Sequence, residues 1–265
     1  MRAACVVMQR NEDICLHPWL VWHGHLFGFD SLYVLDHGSD DPAVWETLAL
    51  FSKLGVHIVK LPPNADYRDK GGLVSQVIAA LDATGQYDLL LPLDCDEFLV
   101  MRDTDGRLTC RREALHAYLT TLTSARAPLL VTENLLNVLH DPGGFWPCPY
   151  EKIIFTRGHV GMLDHGSHRC VTCAEAPVAT RLVYAHFHHK PFARQCEMSR
   201  EKLRPFVDVD DAAALTAFRG TGWHLVENLL KTPAEYRAMM TGGSIHFPEL
   251  MAAFEALGID PGFCE

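Results

Sequence analysis

Two carboxylates two residues apart, Asp94 and Asp96, close an apolar run, Leu89-Leu90-Leu91-Pro92-Leu93, and Glu97-Phe98-Leu99 follows. If that run is a strand, the pair emerges from the core at a strand end, where a turn can aim both side chains at one hard cation. Mg²⁺ and Mn²⁺ take oxygen ligands of this kind and usually share them with substrate phosphates. A cation held there would neutralise the charge developing on a leaving diphosphate. Asp-x-Asp alone arises by chance in solvated turns, so its weight comes from the buried run that delivers it.

The elements before it suggest how it is positioned. Ala3–Met8 reads as a strand, Ile14–Phe27 as a helix with apolar residues at three- and four-residue spacing, and Ser31–Leu35 as a strand. A helix over Pro42–Leu54 has Pro near its first turn and Gly55 as its stop. Val56–Leu61, Lys70–Ala83 and Asp88–Leu93 continue as strand, helix and strand, and Glu97–Met101 resumes extended structure. This alternation predicts an α/β fold, a mostly parallel sheet flanked by helices. Such sheets bind ligands beyond the carboxyl ends of their strands. Here those ends are Arg10-Asn11-Glu12, Asp36-His37-Gly38-Ser39-Asp40, Asn64-Ala65-Asp66 and Asp94-Cys95-Asp96, so four strands deliver carboxylates or amides to one rim.

Three segments in order carry a family resemblance: Gln9-Arg10-Asn11-Glu12 with Trp19-Leu20-Val21-Trp22-His23 and Gly28-Phe29-Asp30; Asp36-His37-Gly38-Ser39-Asp40-Asp41; and Asp94 to Phe98. Over residues 3–101 the chain resembles the glycosyltransferase family 2-like group with a GT-A (Rossmann-like) fold, including relatives near family 92. The likeness continues more loosely through Lys152-Ile153-Ile154 and His186-Phe187-His188-His189-Lys190. Arg10 stands where the group usually has Lys. The resemblance implies sugar transfer from a nucleotide-sugar donor, a UDP-sugar first, to an acceptor hydroxyl with inversion, in glycan or glycolipid synthesis. The acceptor would be a glycan, a lipid-linked sugar or a small molecule. It implies that Asn11, Glu12 and Asp36 line the nucleotide pocket, and that Asp94 and Asp96 hold a divalent metal, Mn²⁺ or Mg²⁺, with the diphosphate. Glu97 would orient the site or touch the sugar. The plainer readings are a helix cap for Asn11 and Glu12 and a turn start for Asp36.

Arg68 and Lys70 follow the third strand and are candidates to meet the diphosphate, against the plainer reading of a solvated charged face. GT-A enzymes often complete the metal shell with a His from the C-terminal half. On an extended strand His186 and His188 share one side, which makes them the candidates, with Lys190 nearby for phosphate. The base that deprotonates the acceptor is expected beyond the metal motif, with Glu133, Asp141 and Asp164 as candidates. His165 and His168 are candidates for the acceptor pocket. Cys170-Val171-Thr172-Cys173 is a lone Cys-x-x-Cys, read as two thiols rather than half of a zinc site mixed with His165 and His168.

The second half is less regular. Arg111–Thr121 reads as a helix, and Leu129–Thr132, Lys152–Phe155 and Arg181–Tyr184 as strands. Residues 133–150 read as loop-rich, and short helical pieces from Phe192 break at Pro205, Gly220, Pro233 and Gly242-Gly243. The chain is expected to be one GT-A domain over 1–265, with a nucleotide-binding half at 1–101 and an acceptor half with a helical tail at 102–265. Its formal net charge of -10 argues against a nucleic-acid partner, since phosphate neutralisation needs a clustered basic face. Nine scattered cysteines, no leader-like opening and no apolar run long enough to span a bilayer suggest reduced thiols and a cytoplasmic protein. The competing functions are a non-catalytic nucleotide-sugar or carbohydrate-binding module and a nucleotidyltransferase on the same fold. The latter would need a Gly-rich phosphate loop after the first strand, and Gln9–Glu12 has no glycine.

Overall fold

The computed structural model describes residues 1–62, 64–240 and 243–265. Its first half alternates as expected: β1 (Ala3–Gln9), α1 (Leu16–Phe27), β2 (Leu32–Asp36), α2 (Pro42–Lys53), β3 (His57–Lys60), α3 (Lys70–Ala83) and β4 (Leu89–Leu93). The chain goes on through β5 (Glu97–Arg102), β6 (Leu108–Thr109), α4 (Arg112–Leu122), β7 (Leu129–Val131), β8 (Glu133–Asn137), β9 (Gly144–Cys148), β10 (Lys152–Thr156), β11 (Val178–Ala179) and β12 (Leu182–His186). The tail comprises α5 (Phe192–Leu203), α6 (Ala212–Ala217), α7 (Val226–Leu230), α8 (Pro233–Met239), β13 (Ile245–His246) and α9 (Pro248–Ala256). The tail break expected at Gly242 lies outside the described residues. None of the described helices is long and apolar enough to cross a membrane.

Among the described residues, β1–β4 join β7, β10 and β11 in a seven-stranded, mostly parallel sheet of order β11-β7-β10-β4-β1-β2-β3. Strand order reverses between β1 and β4. Residues alternate along β1, with Ala3, Cys5 and Val7 facing a core built with α1 and α2, and Ala4, Val6 and Met8 facing the core under α3. The helices therefore lie on opposite faces on the two sides of this reversal. A crevice opens at such a point, beyond the carboxyl ends of the two central strands.

Two expectations need correction. Residues 133–150, expected to be loop-rich, hold two strands. They form the hairpin β8–β9, part of a second, largely antiparallel sheet that among the described residues has six strands in the order β13-β9-β8-β12-β5-β6. Pro142-Gly143-Gly144 is the turn, and Pro147 sits in β9 opposite Leu135, beyond the point where the short β13 pairs. A proline without an amide donor is tolerated on such an open edge, so its presence did not forbid a strand. In addition, Cys170 and Cys173 are joined as a disulfide with Cα atoms 5.6 Å apart, while the other seven cysteines are free thiols. The segment folds back on itself, with Leu163 bridging Cys170 and the Met162 amide donating to Thr172 Oγ1 at 2.9 Å, and this return brings the two sulfurs together. Both sulfurs are thereby removed from any metal site with His165 and His168.

The junction of the two sheets is anchored by His23 on α1, which is wholly buried. Its Nδ1–H donates to the Trp19 carbonyl at 3.0 Å, leaving Nε2 to accept from the Leu99 amide of β5 at 3.5 Å. Burial pushes its pKa down to about 3 from 6.5, so the folded ring stays neutral where an unfolded chain would bind a proton. That contribution is complete above about pH 6.5 and is lost as pH falls toward 3, at about 1.4 kcal/mol per pH unit. Urea unfolding at pH 7 and pH 5 should show the stability gap between wild type and His23→Gln shrinking by about 2 kcal/mol at the lower pH. Parallel pH profiles for the two proteins would show that His23 does not titrate this way.

Candidate active site

The turn between β4 and β5 is closed reciprocally. The Glu97 amide donates to the Asp94 carbonyl at 3.1 Å, and the Asp94 amide donates to Glu97 Oε2 at 2.9 Å. Glu97 is completely buried. Of the two roles expected for it, its position suits orienting the turn and not touching a sugar.

β10 runs antiparallel to β4, so its first residue, Lys152, lies beside the end of β4. The Lys152 side chain is 4% exposed, and its ammonium reaches Asp94 Oδ2 at 2.6 Å, Glu97 Oε1 at 2.9 Å and the Gly166 carbonyl at 2.8 Å. Its N–H groups donate to Asp94 Oδ2 and the Gly166 carbonyl, and its charge pairs with Glu97 Oε1. Lys70, the first residue of α3, pairs with the other Asp94 oxygen. Burial alone would raise the Asp94 carboxyl, but the Lys152 and Lys70 charges outweigh it and hold it well below the usual carboxylate range. Gly71 permits this approach, because a Cβ there would lie 2.5 Å from the backbone carbonyls of Leu163 and Asp164.

Asp96 faces the other way. β12 pairs antiparallel with β5 in the register His186↔Glu97, and the Phe187 amide donates to the Asp96 carbonyl at 2.7 Å. His186 Nε2 is 3.3 Å from Asp96 Oδ1, and Lys190 Nζ is 3.9 Å from Asp96 Oδ2. Side-chain alternation persists just past the strand. Phe187 enters the aromatic core against Phe98 and Phe254, while His186 and His188 turn to Asp96. One ligand atom from each of Asp96, His186 and His188 lies within 4.8 Å of the others. Burial works against the charge on Asp96, but His186 and Lys190 outweigh it and keep the carboxyl well below its ordinary range. Burial likewise works against the charged His186 ring, yet its carboxylate neighbour leaves its pKa raised. His188, buried and next to His186, is pushed well down, so its ring is neutral. Asp96 and His188, together with Gln195, Ser199 and Lys202 of α5, line a small pocket.

These donors fit a divalent ion: a carboxylate, a neutral imidazole and a second imidazole whose contact with Asp96 an ion would replace. Asp94, expected to share that ion, stands apart from the cluster because both its oxygens are engaged by lysines. Lys70 is at the site, as expected. Lys190 is at the site too, but it is fully buried and donates to the Phe187 carbonyl, so it supports Asp96 from behind.

On the β1 side, Asp36 is buried and accepts from Gln9 Nε2 at 2.7 Å and from the Ser39 amide and hydroxyl. Asn11 has a left-handed φ of 51°, a conformation Asn tolerates. Its side-chain oxygen takes the Asp40 and Asp41 amides at 2.9 and 3.1 Å, clamping this rim to the loop after β2. Glu12 takes the Cys15 amide at 3.1 Å, the local cap its sequence position suggests. Arg68 is exposed and paired with Asp66.

The three candidate bases are elsewhere. Glu133 binds Arg102 at the far end of β5 and β8, since its partner in register is Val183 and not His186. Asp164 accepts the His168 and Arg169 amides at 2.7 and 3.2 Å within its own loop. Asp141 caps the turn before Gly144. His165 packs between Tyr67 and Phe206, and His168 bonds the Glu151 carbonyl. Sequence reasoning missed Lys152. The available signal was a lysine opening the apolar run Ile153-Ile154-Phe155, the mirror image of a carboxylate closing one.

No protein-family model matches the chain, and no curated protein matches its sequence. Among solved structures it is similar to glucosyl-3-phosphoglycerate synthase from Mycobacterium tuberculosis in complex with Mn²⁺, UDP-glucose and phosphoglyceric acid, at 19% identity and a TM-score of 0.41, covering 75% of this chain and 76% of that one. It is similar to S. aureus TarS 1–349 at 12% identity and a TM-score of 0.41, covering 97% and 79% of the two chains. Against TarS 1–349 in complex with UDP-GlcNAc the values are 14% and 0.34, and the match covers 54% of this chain and only 36% of that one. Identities this low and superpositions this loose do not carry an activity across.

Proposed function

We propose that this chain is a metal-dependent glycosyltransferase of GT-A type, moving a sugar from a nucleotide-sugar donor to an acceptor hydroxyl. The observation that supports it is the convergence of Asp96, His186 and His188 at the carboxyl edge of a parallel sheet, beside the point where strand order reverses. Asp36, Asn11 and Glu12 line the same edge and would accept the base and ribose. An ion held by Asp96, His186 and His188 would act as a Lewis acid on the leaving diphosphate. The chain's own groups do the rest. Lys70 and Lys202 offer charge to phosphate oxygens, Glu97 and Lys152 keep the turn rigid, and Lys190 holds Asp96 ionised. Fixed charges cost no reorganisation as the diphosphate leaves, which is how such sites lower a barrier. With inversion, the acceptor oxygen attacks the anomeric carbon opposite the diphosphate. We read residues 1–265 as a single domain, with the donor on the β1–β4 half and the acceptor on the rest.

The test is a thermal-shift screen of UDP-, GDP-, CMP- and dTDP-sugars with and without Mn²⁺. A ligand that binds only the folded state raises Tm by mass action, by about 2.7 kcal/mol of stability at a hundred times its Kd. One nucleotide class is expected to stabilise the protein only when the ion is present, with a UDP-sugar first. No shift with any of them would overturn the proposal, and a shift without turnover on any acceptor would favour a binding module.

A further inference from the structure

The disulfide Cys170–Cys173 takes no part in the proposed transfer, but it closes the base of a hairpin whose tip touches the site. The two arms are joined by the Val171 amide donating to the Met162 carbonyl at 2.6 Å and the Met162 amide donating to Thr172 Oγ1 at 2.9 Å. Met162 and Val171 are 43% and 66% exposed, so these bonds lie where water competes for them. The two sulfurs lie against Gly161, where a Cβ would meet Cys170 Sγ at 2.5 Å and Cys173 Sγ at 2.8 Å. At the tip, the Gly166 carbonyl accepts from Lys152 Nζ at 2.8 Å, and the Leu163 amide donates to Ser75 Oγ of α3 at 2.9 Å. The Leu163 and Asp164 carbonyls sit over Gly71, the neighbour of Lys70. A disulfide stabilises a whole fold more as the loop it closes lengthens, and this one spans only three positions. Its effect is therefore local, on the hairpin. Both cysteines are only half-buried, so a reductant can reach them.

We propose that Cys170–Cys173 is a reversible redox site, reduced by a dithiol, that sets how firmly the hairpin tip holds Lys152 and the start of α3. Its effect on donor binding rests on the glycosyltransferase reading, while its chemistry does not. A thiolate of the dithiol attacks Cys173 Sγ, the S–S bond breaks, and Cys170 leaves as a thiolate. Cys170 is the better leaving group because the Cys173 amide donates to its Sγ at 3.1 Å. The second thiolate of the reductant then attacks the mixed disulfide and releases Cys173. Two electrons pass to the pair, the dithiol departs as a disulfide, and its two protons end on Cys170 and Cys173. Without the covalent closure the arms rely on exposed hydrogen bonds, so the tip opens more often. Lys152 then loses its Gly166 acceptor, and the packing over Gly71 that places Lys70 against Asp94 loosens.

The experiment treats the full-length chain with oxidised glutathione and then with graded dithiothreitol, counting and locating free thiols by alkylation and mass spectrometry. Amide hydrogen exchange over residues 161–172 is followed in both forms, with far-UV circular dichroism as the check on folding. The pair is expected to reduce while the protein stays folded, and exchange over 161–172 to quicken by about tenfold. The KM for the donor sugar nucleotide should rise about three- to tenfold with kcat within about twofold, as expected when binding shared by ground and transition states is weakened. A double variant, Cys170→Ser with Cys173→Ser, should behave as the reduced form with or without dithiothreitol, which sets aside the seven other cysteines. A pair that does not form, a pair that reduces only as the chain unfolds, exchange that is the same in both forms, or faster exchange with the donor KM unchanged would overturn the proposal. Redox-dependent exchange in a protein that turns over no sugar nucleotide in either form would sink the glycosyltransferase reading while leaving the redox site standing.

Discussion

Asp96→Asn is expected to lower sugar-nucleotide turnover by roughly 10³-fold or more while the protein stays folded. The carboxylate at this position has two tasks. In the proposed reaction it would offer the one anionic ligand of the Asp96–His186–His188 cluster, and in the structure its charge raises the pKa of the His186 ring against the effect of burial. The amide keeps the shape and loses both the charge and one metal-binding oxygen. The backbone bond from the Phe187 amide to the Asp96 carbonyl, at 2.7 Å, does not involve the side chain and should survive. The Asp96 side chain is 14% exposed, so replacing it does not empty a core. Far-UV circular dichroism and Tm should therefore remain close to wild type. Near-normal activity in this variant, or in wild type under excess chelator, would show that the reaction does not run through an ion at this cluster.

Lys152→Met should produce the largest loss of stability, about 3–5 kcal/mol, seen as a fall in Tm on the order of 10 °C. Methionine fills much of the volume of the lysine stem, so the variant chiefly tests charge. Without the ammonium, Glu97 is wholly buried with no cation at its Oε1, and Asp94 keeps only Lys70. The Gly166 carbonyl also loses its donor, which loosens the loop that packs on the start of α3. A double variant separates charge from packing. In Lys152→Met with Glu97→Gln, the amide oxygen can still accept from the Asp94 amide while no buried carboxylate is stranded, so most of the stability should return. A single variant within about 1 kcal/mol of wild type, or a double variant no better than the single one, would refute the buried-charge account.

Both outcomes depend on features that differ in how far the sequence reveals them. The strand-end placement of Asn11, Asp36 and Asp94 follows from local pattern. Continuous apolar runs mark strands buried on both faces, apolar residues at helical spacing mark the connections between them, and the first polar residue after a run has to lie at a rim. The helix over Lys70–Ala83 matches the structure residue for residue, since Gly85 and the periodicity bound it well. Pairing of His186 with His188 on one side was likewise a matter of two-residue alternation.

What tertiary structure alone decided is which charge meets which. Lys152 reaches Asp94 across 58 positions of sequence because β10 enters the parallel sheet antiparallel beside β4. His186 reaches Asp96 because β12 pairs with β5 in one register out of several that its alternation would allow. Glu133, a candidate base by its position in the chain, lies at the far end of that same sheet for the same reason. Periodicity tells which face a residue takes, but register and strand order come from non-local packing, so it cannot say which strand end that residue will face. Read from the sequence, Asp94 and Asp96 were a matched pair of ligands; in the folded chain two lysines take one of them and two histidines the other.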